Sequence, residues 1–164
     1  MTVNIFRNVL VVLHNVHSVQ RVVEMAKLCF GLGFNTLIVS KAIGTAAQSG
    51  IPEAHRLAMH MGKRLIIVPD VQDAIDLFNP DEILLFAPKP YGKEQFNPKE
   101  VCEKASMGKL IMLVYGGLEP GLSSRELSLG RAVFLAPSIN IGTIGTAAIS
   151  LYLIMQETIK CNSH

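Results

Sequence analysis

The sequence predicts an α/β fold, a mostly parallel six-stranded sheet with helices on both faces, from three observations. Six short runs of β-branched and large aliphatic residues are apolar almost without interruption, as strands covered on both faces must be. Between them lie segments with apolar residues at helical spacing, so strand and helix alternate and the connections are crossovers. With 164 residues and 49% of them hydrophobic, the chain supports one core, read as a single domain over residues 1–164.

The predicted strands are NVLVVLH (8–14), FNTLIVS (34–40), KRLIIVP (63–69), EILLFAP (82–88), KLIMLVY (109–115) and RAVFLAP (131–137). The first helix opens on Ser18 as N-cap, carries Val19, Val22, Val23, Ala26, Cys29 and Phe30 on one face, and stops at glycine. The second has Pro52 in its first turn and Gly62 after its end. Asp70 caps the third, whose buried stripe is Val71, Ala74, Ile75 and Phe78. Asn97, Pro98 and Glu100 start the fourth in a capping-box variant. SSRELSL makes a short helix, and TIGTAAISLYLIMQETI the last and longest. The polar stretch from Lys89 to Glu100 reads as an exposed excursion.

Composition excludes several classes. Cys29, Cys102 and Cys161 form no CxxC pair, which argues against a disulfide framework or a zinc knuckle and fits a reducing, cytoplasmic interior. The net charge of +2 permits nucleic acid as a partner without demanding it, and the lack of Trp speaks against a base-stacking sheet. Phe134 to Leu153 runs twenty residues without a charge, yet Pro137, Ser138 and Asn140 at its start argue against a membrane span. The first apolar run is too short for a secretory signal and is followed by no small-residue cleavage site. His14, His17, His55 and His60 have no ligand spacing, so no metal is expected.

In an open parallel sheet, ligands sit beyond the carboxyl ends of the strands. That directs attention to YGGLEPGLSS and LAPSINIGTIG, which follow the fifth and sixth predicted strands. Gly116, Gly117 and Gly121 permit close backbone approach, either to a ligand or in a plain tight turn. Asn140 would be costly to bury unless its amide is hydrogen-bonded, and Ser138 and Asn140 singly suit helix caps.

Taken together, the two loops resemble the C-terminal motifs of the SPOUT superfamily, in particular the SpoU/TrmH-like RNA 2′-O-ribose methyltransferases. The matching residues are Gly117-Leu118-Glu119 with Gly121-Leu122, then Leu135-Ala136-Pro137, then Ser138-Ile139-Asn140. The resemblance implies a C-terminal trefoil knot and a homodimer built around it. It also implies S-adenosyl-L-methionine held by Ala87, Tyr115, Gly116, Gly117, Leu135, Ala136 and Ile139, and an RNA substrate, tRNA or rRNA. Arg21, Glu119, Ser138 and Asn140 would be the catalytic residues, aligning a ribose hydroxyl for attack on the sulfonium methyl. The family's first motif, an Asn and an Arg six residues on, is altered: a gap-free register puts Arg21 and Lys27 there, while another register gives Arg21 the catalytic place. The second motif is also one residue shorter between Glu119 and Gly121 than usual.

Two rivals rank behind this reading. A knotted protein that binds cofactor or RNA without catalysis fits the altered first motif. A nuclease would draw on the acids at 70, 73, 76, 81 and 82, but their spacing follows a helix cap and an exposed face. No lysine has an acid two residues before it, as a restriction-type centre requires.

Overall fold

The computed structural model describes residues 4–136 and 139–163. All six expected strands form: β1 (Val9–Val16), β2 (Thr36–Ala42), β3 (Arg64–Val68), β4 (Glu82–Phe86), β6 (Ile111–Gly116) and β7 (Arg131–Phe134). A seventh, β5 (Glu94–Gln95), arises within the polar excursion. The order is β3-β2-β1-β6-β4-β7-β5, and every pairing is parallel. Sequence patterning missed β5 because two polar residues carry no apolar signal; they pair with Val133 and Phe134 on the sheet's edge.

The helices also fall where the patterns place them: α1 (Val19–Gly31), α2 (Ile51–Met61), α3 (Val71–Phe78), α4 (Pro98–Ser106), α5 (Ser124–Leu127) and α6 (Gly142–Asn162). Their ends follow the expected chemistry. Ser18 accepts from the Arg21 amide at 3.2 Å, and Asn97 accepts from the amides of Lys99 and Glu100. Gly62 closes α2 in the left-handed region at φ +66°. At Asp70 the cap is a full reciprocal box, Asp73 returning a contact to the Asp70 amide at 2.9 Å. Glu100 does not complete such a box at α4; its carboxylate turns to Lys104 and Arg131.

Two apolar layers sandwich the sheet. On one face Val9, Val11, Leu13, Leu37 and Leu113 pack against α1, α2, α4 and α6. On the other, Leu10, Val12, Ile38, Met112 and Val114 pack against α3 and the underside of α5. Burying a side chain such as Phe30 or Leu113 contributes about 1.5–3 kcal/mol, and the central strands do so at nearly every position, alternation being absent. Among the described residues, no helix is long and apolar enough to cross a membrane. Instead α6 buries Ala147, Ser150, Leu151, Ile154 and Thr158 along one stripe.

Candidate functional site

The carboxyl ends of β4, β6 and β7 frame a narrow cleft of about 60 Å³. Tyr115 and Phe86 form its floor, with rings stacked 4.6 Å apart and nearly parallel. Below them the Tyr115 hydroxyl meets Ser150 Oγ at 2.6 Å, and Ser150 donates to the Thr146 carbonyl at 2.8 Å. Burial pushes the Tyr115 pKa up, so this hydroxyl stays a proton donor tied to α6.

Of the seven residues expected to hold a cofactor, Ala87, Tyr115, Gly116, Leu135 and Ile139 line the cleft. Gly117 and Ala136 do not. Gly117 faces the other way: its amide donates to the His14 carbonyl at 2.7 Å, and a Cβ there would fall 2.7 Å from the Asn15 carbonyl oxygen. The close approach this glycine allows is therefore to β1's end.

Glu119 and Asn140 meet across the cleft, Asn140 Nδ2 donating to Glu119 Oε2 at 3.1 Å. Asn140 is exposed, so its amide bears no burial cost, and its Oδ1 accepts from the Gly142 amide at 2.9 Å at the start of α6. Arg21 lies outside the cleft and donates to the Gly117 carbonyl, bracing the loop from behind. Ser138, and with it Pro137, lies outside the described residues. Thr143, which the sequence did not single out, donates to the Gly116 carbonyl and joins α6 to the base of the loop.

A second polar centre joins residues that the sequence offers only singly, His14 weighed as a metal ligand and Asp70 as a helix cap. His14, 1% exposed at the end of β1, has Nδ1 2.8 Å from Ser40 Oγ and Nε2 2.8 Å from Glu126 Oε1, with Asp70 3.9 Å away. Residues 14, 40, 70 and 126 share no local signal; only the parallel register of β1 with β2 and the docking of α5 bring them together. Burial pushes the Glu126 carboxyl up, but the Ser123 amide and His14 outweigh it and hold the group below its ordinary value near 4.5. A depressed carboxyl favours the folded state above that ordinary value, and the contribution is lost as pH falls through the folded one. Urea midpoints should therefore drop on acidification below about pH 4.5, and Glu126→Gln should flatten that drop. Equal slopes for both proteins would remove Glu126 from the acid response.

Most of the other acids are engaged. Asp70 and Asp73 cap α3, Asp76 accepts from Gln72, and Asp81 accepts from the Leu110 amide at 2.7 Å. Glu82, Glu94 and Glu100 gather at Arg131, and Lys104 contacts Glu82 and Glu100 at 2.6 Å each. Among the described residues, no group of three or more His, Cys, Asp or Glu is arranged to hold a metal ion.

A family model described as RecB-family nuclease (DUF2122) matches residues 44–153. The chain belongs to this family. A protein of Aeropyrum pernix, provisionally named a type II restriction enzyme, is 38% identical over 156 residues, spanning 90% of this chain and 93% of that one. One of Methanocaldococcus jannaschii with the same kind of name is 32% identical over 146 residues, spanning 89% and 95%. Among solved structures, the SpoU methyltransferase AviRb of Streptomyces viridochromogenes superposes with a TM-score of 0.70 at 15% identity, covering 93% of this chain and 60% of that one.

These findings correct the functional expectation. The structural likeness, at so low an identity, establishes a SpoU-like α/β fold alone, whereas the family match is to proteins described as nucleases. The reading as a SPOUT-superfamily, S-adenosylmethionine-dependent RNA ribose methyltransferase is thereby overturned, and the nuclease class that the acid spacing had demoted is the family's own description. A nuclease commonly recruits a divalent cation through clustered carboxylates. The described acids do not fit that role, because the one dense carboxylate cluster is already occupied by the Arg131 and Lys104 cations.

Proposed function

We propose that this protein acts on nucleic acid and that the cleft above Tyr115 binds S-adenosyl-L-methionine as an effector. The family description and the names of both relatives support the first part, since a nuclease's substrate is a nucleic acid. The observation that carries the second is the cleft's lining, in which apolar side chains such as Leu118, Val133, Leu135 and Ile139 stand beside polar Asn140, Thr143 and Thr146, with Glu119 as the one charged residue among the described lining. A sulfonium nucleoside combines a flat apolar base with a positive charge, and such a lining matches both. Ala87, Tyr115, Gly116, Leu135 and Ile139 would hold the ligand, with Glu119 as counter-charge. Arg21 and Asn140 serve as supports, one bracing Gly117 and the other Glu119.

At about 60 Å³ the cleft is too small for a nucleoside until its walls, residues 118–121 and 139–142, move apart. The Asn140–Glu119 hydrogen bond is the tie that such opening would break, while Thr143 keeps the base joined. The reading includes a trefoil knot at this crossing of α6 and the 116–123 loop. It also includes a homodimer through the outer face of α6, where Ile149, Tyr152, Leu153 and Ile159 are exposed.

Calorimetry tests the ligand directly. S-adenosylmethionine should bind, and Glu119→Gln should weaken it by roughly 1.5- to 5-fold, as for an exposed ion pair of about 0.2–1 kcal/mol. The neutral S-adenosylhomocysteine should respond less to that substitution. An absence of binding heat at saturating ligand would overturn the cleft's assignment.

A further inference from the structure

We propose that the turn between β4 and β5, Lys89-Pro90-Tyr91-Gly92-Lys93, is a platform for single-stranded nucleic acid. This rests on the reading above that the protein acts on nucleic acid, and it names the form of substrate and the residues that meet it. The turn is rigidly seated. The Tyr91 and Gly92 amides both donate to the Pro88 carbonyl at 3.0 Å, and the Lys93 amide donates to Ala132 of β7 at 2.9 Å. Gly92 is buried against the strand, where a Cβ would fall 2.4 Å from the Ala87 carbonyl oxygen and 2.8 Å from Phe134 Cβ. With its backbone fixed inward, the turn presents Lys89, Tyr91 and Lys93 outward, Tyr91 being 61% exposed.

Its surroundings select the occupant. An open groove of about 460 Å³ runs between the turn and α5, lined by Tyr91, Lys93, Ser124, Leu127 and Ser128. Glu94 in its wall is paired with Arg131 at 2.8 Å, and among the described residues Lys93 makes no ion pair, so Lys93 is the groove's cation left to meet an anion. On the other side, Lys89 Nζ sits 4.5 Å from the centroid of the Phe134 ring, which lines the cleft. The platform thus borders the cleft and the groove together. A polyanion bearing flat groups fits it: a base stacks on Tyr91, and phosphates meet Lys89 and Lys93. In a duplex the base faces are already covered by one another, so an exposed aromatic ring favours an unpaired strand.

Fluorescence anisotropy with a labelled single-stranded oligonucleotide of about twelve nucleotides, as DNA and as RNA, and with the matching duplex tests this. The single strand should bind more tightly than the duplex. Tyr91→Ala should weaken it by roughly 5- to 150-fold, corresponding to about 1–3 kcal/mol for one stacked base, while Tyr91→Phe stays near wild type. Lys89→Ala with Lys93→Ala should reduce the salt slope by roughly 1–2. Circular dichroism should show all variants folded. Unchanged affinity in Tyr91→Ala, or duplex bound more tightly than single strand, overturns the platform and leaves the nucleic-acid reading standing. Failure of the wild-type protein to bind any nucleic acid at low salt overturns both.

Discussion

Replacing Tyr115 with alanine is expected to lower the unfolding free energy by about 3–5 kcal/mol, the range for deleting a buried aromatic side chain. The ring is 1% exposed and stacks on Phe86, which in turn packs 5.0 Å from Phe96. Its removal therefore strips contacts from two elements at once, β6 that carries it and the β4–β5 region that leans on it. The hydroxyl is the buried link from β6 to Ser150 of α6. Tyr115→Phe isolates that link and should cost only about 0.5–1.5 kcal/mol, because Ser150 keeps its own bond to the Thr146 carbonyl. Urea unfolding distinguishes the two, with midpoints shifting and the denaturant slope preserved. An alanine variant within about 1 kcal/mol of wild type would mean the cleft's floor collapses to fill the space.

The fold was legible because its signals are local. Continuous apolar runs such as Val9–Leu13 and Ile111–Tyr115 mark strands buried on both faces, and Ser18, Asp70 and Asn97 announce helices through bonds reaching only three residues ahead. The cleft was half legible for the same reason: it sits at strand ends, and strand ends can be counted. What the sequence could not convey is direction and distance. The sequence leaves Gly117 open to a ligand or to a tight turn, and only the fold shows its close contact with Asn15; it likewise leaves the burial of Asn140 open, and only the fold shows it exposed. The functional reading failed at a different level. Glycine-rich loops after parallel strands, and a small-residue helix after them, specify how a SpoU-like fold closes; different families share that geometry, so the motifs tracked the fold and not the chemistry.

His14→Ala should carry the next largest cost, about 2–3 kcal/mol, because it strands partners on both sides of one ring. Ser40 is fully buried and loses its contact to Nδ1, and the Glu126 carboxylate loses the partner at Nε2. The damage should also spread, since Glu126 belongs to α5, a four-residue helix with no buried residue of its own. Apart from the Ser123 capping box, the His14 contact is the polar anchor of that helix, and the helix ends the loop that begins at Gly117. Loosening α5 therefore loosens the 118–121 wall of the cleft. Two measurements separate this from a plain packing loss. In a double-mutant cycle with Glu126→Gln, the two changes should be less than additive, with a coupling of about 0.5–3 kcal/mol, because either alone breaks the same bond. Hydrogen exchange should show the 117–127 amides losing protection in His14→Ala while those of β2 keep theirs. Strict additivity, or a loss spread evenly over the sheet, would make His14 an ordinary core residue with no hold on the cleft.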